Sequence, residues 1–320
     1  MRMPIKGSSV LVTGGAGFIG SHLVDCLIAQ EAKEVFAVDN MFLGSESNLQ
    51  DAFAQQAILY KDDIELSSSL DYIFENHNID IVFNCATKAL NYSFFNPKNA
   101  YLTNTIAIAN LLELLRKGEY KTLCHISTSE VYGTAVYEPM DENHPINPTT
   151  TYAAGKAAAD IALETYVRMF DLDAFILRPF NNYGPRQNHT GPLAGVIPTT
   201  IRKIIEGNKP EIYGSGKQSR EFIYVTDTVN ALIALFDILK PGESVNIAAE
   251  NQISIEALIT NICELMGYDG EILKREARKS DVECHNASLE KIRSLIDYKL
   301  TPIEIGLKET IDWYFKKIAR

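Results

Sequence analysis

Short apolar runs alternate with longer amphipathic ones through the first half of the chain. "SVLVTG" (9–14), "EVFAVDN" (34–40), "DIVFNCA" (80–86), "TLCHIST" (122–128) and "DAFILRPF" (173–180) are near-continuous apolar stretches of strand length. Between them lie "IGSHLVDCLIAQ", "SLDYIFENH", "YLTNTIAIANLLELLRKG" and the Ala-rich "YAAGKAAADIALETYVRMFD", with apolar residues at helical spacing. Strands that lack in/out alternation need cover on both faces, and the intervening helices supply it. The pattern therefore predicts right-handed βαβ units and an α/β fold, a Rossmann-type doubly wound parallel sheet. Past Arg178 the rhythm changes: "NNYGPRQNHTGPLAGVIP" is dense in Gly, Pro and Asn, which favour turns. A helix ("TTIRKIIEG"), short strands ("PEIYG", "EFIYV", "SVNIA") and helices from about Thr226, Ser254 and Ile305 follow. This reading gives a dinucleotide-binding domain over 1–178 and a smaller C-terminal α/β substrate-binding domain over 179–320.

Composition narrows the function. The chain has 320 residues, 46% hydrophobic and 22% charged, enough for one large domain or two modest ones. A net charge of −11 speaks against a nucleic-acid surface. Cys26, Cys85, Cys124, Cys263 and Cys284 form no CxxC pair and no metal-like spacing with the six histidines. They read as reduced, mostly buried thiols, with no metal site. The opening "MRMPIKGSSVLVTGG" holds only the apolar "VLV", too short for a signal-peptide core or a membrane span, so a cytoplasmic protein without a membrane partner is expected.

The first strand runs into "TGGAGFIG", with Gly14, Gly17 and Gly20 in GxxGxxG spacing and Phe18 and Ile19 opening the next helix. Glycines let the backbone turn sharply and approach a pyrophosphate, and a helix N-terminus offers N–H groups and positive potential. Asp39 ends the second strand, nineteen positions beyond Gly20, with Asn40 beside it. A carboxylate there accepts hydrogen bonds from ribose hydroxyls and repels an extra phosphate, which points to NAD rather than NADP. Asp63 and Ile64, in "DDI" after the third strand, are placed to frame the adenine or to form a plain turn. Lys88, in "NCATKAL", reaches either the cofactor or solvent.

"TYAAGK" puts Tyr152 and Lys156 four apart at the start of a helix, on one face. An ammonium beside a phenol stabilises phenolate and makes a usable general base for a sugar hydroxyl. Cys85, Cys124 and His125 fall on core strands, His125 reading as a satisfied core histidine.

These stretches, with "VTGGAGFIGSHL", "STSEVYG", "RPFNNYGPRQ", "GSGKQSREFIYVTD" and "ARKSDV", resemble the extended short-chain dehydrogenases/reductases of the nucleotide-sugar epimerase/dehydratase type, along essentially the whole chain. The resemblance implies that Tyr152 is the base for oxidation at sugar C4, that Lys156 also holds the nicotinamide ribose, and that Thr128 hydrogen-bonds the reacting hydroxyl. It implies Asn181, Arg220 and Arg278 on the substrate diphosphate, Ser129 beside the sugar, and Val196 and Tyr213 in segments that flank a uracil. Asn104 would brace the active-site strand. The family's "RPGD" and "YxxSK" stand here as "RKSD" and "YAAGK". Its members commonly pair through two helices, and "YLTNTIAIANLLELL" with "AAADIALETYVRMF" are apolar enough for a homodimer by a four-helix bundle.

A 4-keto sugar opens three routes, and Glu130 divides them. Epimerisation needs no further proton carrier. A carboxylate two residues beyond Thr128 supplies an acid/base at C5 and C6, so 4,6-dehydration, or a related C5/C6 elimination, of a nucleotide-hexose such as UDP-GlcNAc leads. Decarboxylation of UDP-glucuronate follows, since those enzymes share "STSEVYG" and often the glycine before the lysine. UDP-sugar 4-epimerisation and a regulatory protein that binds NAD and UDP-sugar without turnover come after. A simpler role for Glu130 is to cap the following turn.

Overall fold

The computed structural model describes residues 2–276 and 286–318. In chain order the elements begin β1 (Ser9–Thr13), α1 (Phe18–Ala29), β2 (Glu34–Val38), α2 (Gln50–Phe53), β3 (Ile58–Tyr60), α3 (Ser67–Asn76) and β4 (Ile81–Asn84). There follow α4 (Pro97–Lys117), β5 (Thr122–Ile126), α5 (Thr151–Phe170), β6 (Asp173–Pro179), β7 (Asn181–Tyr183), α6 (Val196–Ile205), β8 (Glu211–Tyr213), β9 (Ser219–Arg220) and β10 (Phe222–Tyr224). The chain closes with α7 (Val225–Phe236), β11 (Ser244–Ile247), β12 (Ile253–Ser254), α8 (Ile255–Leu265), β13 (Leu273–Arg275), α9 (Glu290–Leu295) and α10 (Ile303–Ile318).

The doubly wound reading holds. Seven strands form one parallel sheet in the order β11-β6-β5-β4-β1-β2-β3. Every residue of β1 is buried, with Val10 and Val12 facing a core shared with α1 and α7, and Leu11 facing a core shared with α3, α4 and α5. That two-sided burial is why the strand reads as a continuous apolar run. The strand order reverses between β1 and β4, and the crevice at the carboxyl ends there is where such sheets bind ligands.

Local signals set the helices that carry the site. Asn96 caps α4 by accepting from the Asn99 amide, with Pro97 at the first helical position, and Gly118 ends it in the left-handed region at φ 82°. Thr150 caps α5 by accepting from the Ala153 amide, which fixes Tyr152 in the first turn and Lys156 one turn on. Gly155 lets the two helices meet: a Cβ there would lie 2.8 Å from the Tyr101 carbonyl oxygen. In this chain the departure from "YxxSK" therefore has a packing reason.

Two expectations change. "NNYG", read as turn, contains β7, which pairs in parallel with β10; a three-residue strand is made by its partner rather than by its composition. The chain also returns to the large sheet after 178, since α7 covers it and β11 pairs with β6, whose last residues include Arg178. A separate core of Tyr183, Ile197, Ile201, Leu258 and Leu307 lies among α6, α8 and α10. Among the described residues no helix is long and apolar enough to cross a membrane, and no cluster of His, Cys, Asp or Glu is arranged for a metal ion.

Candidate active site

Two adjoining cavities open at the carboxyl ends of β1, β4 and β5, sharing Phe18, Ile19, Cys85 and Thr87 in their walls. The smaller, about 280 Å³, is lined by Gly14, Gly17 and Gly20 at one wall and by Asp39, Asn40, Asp63 and Ile64 at another. Gly14 has φ 65°, and a Cβ on Gly20 would stand 2.2 Å from the Gly14 carbonyl oxygen, so the loop and α1 meet at a distance only glycine permits. No side chain caps α1 and no acidic residue occupies its first turn, which leaves its N-terminus suited to an anion.

The Asp39 carboxylate accepts from the amides of Ala16 at 3.1 Å and Met41 at 2.8 Å. Burial raises its pKa, opposed by these amides and by the charge of Lys88. Lys88 is buried rather than solvated, its ammonium 4.2 Å above the Phe42 ring, and it lines the same cavity. The Asn40 amide donates to Asp63 at 2.8 Å and ties the two strand ends together. The glycine cradle, the unopposed helix terminus and the carboxylate at the far wall fit a dinucleotide of the NAD type.

The larger cavity, about 630 Å³, brings together Thr128, Glu130, Tyr152 and Lys156 from the end of β5 and the start of α5. Thr128 is the cap of the short 3-10 turn Ser129–Tyr132, accepting from the Glu130 amide at 3.3 Å. The capping side chain is thus the threonine's, while Glu130 lines the cavity. Ser129, expected beside the sugar, is buried in that turn and does not line the cavity. Lys156 is buried and donates to the Ile126 carbonyl at 2.7 Å; burial lowers its pKa to about 8 against the pull of Asp160.

The phenol of Tyr152 does not have the lowered pKa that its neighbouring lysine suggests. Burial pushes it up to about 12, Glu130 and Asp160 add to the rise, and hydrogen bonds with Thr128 and Thr87 oppose it. A base at this position needs further positive charge before it ionises near neutrality.

At the far end the cavity is walled by Asn181, Val196, Tyr213 and Arg220, all expected there. Asn181 donates to the Glu221 carbonyl at 3.2 Å, and Tyr213 donates to Glu211 at 3.0 Å. Arg278 lies outside the described residues.

Several neighbours go beyond the residues expected from the sequence. Lys203 on α6 pairs with Glu211 on β8 at the rim of the larger cavity, a contact made across elements. Beneath Lys156, Asp160 pairs with Arg178 at 3.0 Å, and Arg178 also donates to the Tyr132 hydroxyl at 3.0 Å. Asp160 was legible in principle, since it follows Lys156 by four on the same helix face. His125 is only half satisfied: Nδ1 meets the Asn84 amide at 3.0 Å, whereas Nε2 is 3.7 Å from Asp160 without a hydrogen bond. Burial, with Lys156 and Arg178 nearby, holds it neutral, well below the usual histidine range. Cys85 lies just past β4, half-buried in the walls of both cavities rather than inside the core. Cys26, Cys85, Cys124 and Cys263 are all free thiols.

Residues 10–248 match the model of the NAD dependent epimerase/dehydratase family. A protein of Methanocaldococcus jannaschii described as a putative UDP-glucose 4-epimerase is 33% identical, over 95% of this chain and 97% of its own. UDP-glucuronic acid decarboxylase 1 of Xenopus tropicalis is 32% identical over 97% of this chain and 72% of its own. Human dTDP-D-glucose 4,6-dehydratase is 30% identical, over 95% and 89%. Among solved structures, the UDP-glucose 4-epimerase of Thermotoga maritima with UDP-glucose superposes with a TM-score of 0.91 at 32% identity, covering 97% of this chain and 99% of that one. The sheet, the glycine cradle and these matches agree: the chain belongs to the NAD-dependent epimerase/dehydratase family of nucleotide-sugar enzymes.

Proposed function

We propose that this protein is a lyase that dehydrates a nucleotide-activated hexose, UDP-GlcNAc being the first candidate, across C4 to C6 through a 4-keto sugar. The carrying observation is that Glu130 lines the same cavity as Thr128, Tyr152 and Lys156. Gly14, Gly17, Phe18, Ile19, Gly20, Asp39, Asn40, Asp63, Ile64 and Lys88 would hold NAD, with Tyr152 and Lys156 at its nicotinamide end. Bound there, NAD supplies reversible two-electron oxidation at the sugar carbon and a positive charge beside the phenol.

In this reading Thr128 orients the C4 hydroxyl and Tyr152 takes its proton. Lys156 holds its ammonium at the end of β5. The C4 ketone acidifies C5–H, and the Glu130 carboxylate takes that proton. The electron pair left at C5 then forms the C5–C6 double bond as the C6–O bond breaks, and the carboxyl returns the proton to the departing hydroxyl, which leaves as water. C6 would then receive back the hydride that C4 gave up and C5 a proton, Tyr152 shedding the one it took, so that the net change is the loss of one water. Asn181 and Arg220 would hold the diphosphate, and Val196 and Tyr213 the base. The exposed apolar residues Tyr101 on α4 and Ile161, Met169 and Phe170 on α5 support a homodimer through these helices.

The test is a panel of UDP-GlcNAc, UDP-glucose, UDP-glucuronate, GDP-mannose and dTDP-glucose, read by mass and NMR. Loss of one water supports dehydration. Loss of carbon dioxide from UDP-glucuronate, or unchanged mass with a new sugar, would transfer the assignment to decarboxylation or epimerisation. In the variant Glu130→Gln, dehydration should collapse while transient NAD reduction survives. Equal loss of both would make Glu130 a positioning residue and end this account of it.

A further inference from the structure

Arg178, on β6, takes no part in the mechanism above, yet its buried guanidinium spans the two elements that carry the reacting groups. Its Nε donates to Oδ2 of Asp160 at 3.0 Å, one turn past Lys156 on α5. Its Nη1 donates to the Tyr132 hydroxyl at 3.0 Å, at the end of the turn Ser129–Tyr132 that holds Glu130, and to the Ser244 hydroxyl on β11 at 3.2 Å. Arginine only donates, so the Tyr132 hydroxyl accepts from it and passes its own proton to Oδ1 of Asn246 on β11, at 2.8 Å. Asn246 is oriented to receive it, because its side-chain nitrogen donates to the Met140 carbonyl at 3.3 Å. Oδ1 of Asp160 has no hydrogen-bond partner, so Arg178 is the donor that holds this carboxylate. Asp160, Arg178, Tyr132 and Asn246 are all buried, and the bonds between them run in one direction.

We propose that Arg178 is a positioning residue, acting through Tyr132 and Asp160 to set where the Glu130 carboxylate stands relative to Tyr152 and Lys156. This rests on the reading in which Tyr152 serves the C4 hydroxyl and Glu130 serves C5 and C6. Both transfers take place on one bound sugar, the second at carbons next to the first, so the turn after β5 and the start of α5 need a fixed separation. A shift of about 1 Å in a reacting group can cost up to about a hundredfold in rate. The turn transmits the brace to Glu130 because it is short and held at both ends, by the Thr128 cap on the Glu130 amide and by the Tyr132 hydroxyl. A buried ion pair is a weak source of stability, since desolvation cancels most of its attraction, but a planar fork bonded on two edges fixes a distance and an angle between the groups it joins.

The test is Tyr132→Phe, which keeps the ring, its centroid 5.2 Å from the guanidinium carbon, and removes the hydroxyl through which Arg178 reaches the turn. Nη1 keeps Ser244 as an acceptor, so the charge is not stranded. With the panel sugar that is turned over, kcat should fall roughly tenfold with KM within about twofold. Reduced nicotinamide, read by its absorbance, should build up during turnover, because oxidation at C4 then outruns the step at C5. Arg178→Lys, which keeps the charge but not the fork, should behave in the same way. Ser244→Ala, which cuts the arm to β11 and spares both arms to the catalytic elements, should match wild type. Wild-type turnover by Tyr132→Phe or Arg178→Lys, a loss of C4 oxidation as large as the loss of product, or an equal effect of Ser244→Ala would overturn the brace alone. Unimpaired product formation by Glu130→Gln would instead remove the reading on which it rests, whatever Tyr132→Phe does.

Discussion

Replacing Lys156 with methionine should make the protein more stable near pH 7 while abolishing turnover. The ammonium is buried, with the Ile126 carbonyl as its hydrogen-bond acceptor, and its pKa falls from 10.5 to about 8. Between those values the unfolded chain binds more protons than the folded one, so stability rises with pH across that window. Below it the folded state carries the full cost of a desolvated charge, about 3 kcal/mol for a depression of this size. Methionine removes that cost and fills similar volume, but leaves the Ile126 carbonyl without its donor, a loss of about 1–2 kcal/mol. The net gain near pH 7 is then about 1–2 kcal/mol, and it should vanish or reverse near pH 10, where the wild-type amine has shed its proton. Urea unfolding of both proteins at the two pH values measures this, and taking their difference cancels the other titrating groups. A variant less stable than wild type near pH 7, or a difference that does not change with pH, would refute the reasoning.

Two further outcomes are expected. Gly20→Ala places a methyl 2.2 Å from the Gly14 carbonyl oxygen, so α1 must move off the loop and NAD affinity by calorimetry should drop roughly tenfold or more; unchanged affinity would show that the cradle does not grip the cofactor. Sedimentation at micromolar concentration should give a dimer, and charged substitutions at Ile161 and Met169 should release monomers that still bind NAD. A wild-type monomer would dispose of the helix-pair interface.

What the sequence showed, and what it hid, follows from where each contact is made. The strands β1, β2, β4, β5 and β6 were legible because burial on both faces leaves a continuous apolar signature. Phe222–Tyr224, inside the apolar "EFIYV", was legible as well, whereas its partner Asn181–Tyr183, and the pair Ser219–Arg220 with Ile253–Ser254, were not, because short segments without an apolar run become strands only through their partners. Glycine spacing and the Tyr152–Lys156 interval are short-range features of single elements, and so they could be read. The bond from Thr87 to Asn104 spans seventeen positions and depends on the path of a loop, while Lys203 and Glu211 meet only once α6 packs over β8. The elevated pKa of Tyr152 was hidden for a related reason: residue spacing records which charges are near, but not how much water has been removed around them.

The last strand of the large sheet has a consequence for how the protein is made. Strand β6 carries Arg178 and the fully buried Phe175, Ile176 and Leu177, yet its outer neighbour β11 is encoded at Ser244–Ile247. While the chain emerges from the ribosome, β6 stays an open edge, and an apolar one, until roughly seventy further residues have been translated. The segments from β7 to β10, which wall the far end of the larger cavity, are made within that interval. The nascent sheet therefore cannot be completed before most of the larger cavity's far wall has been made, so the two adjoining cavities mature in one step.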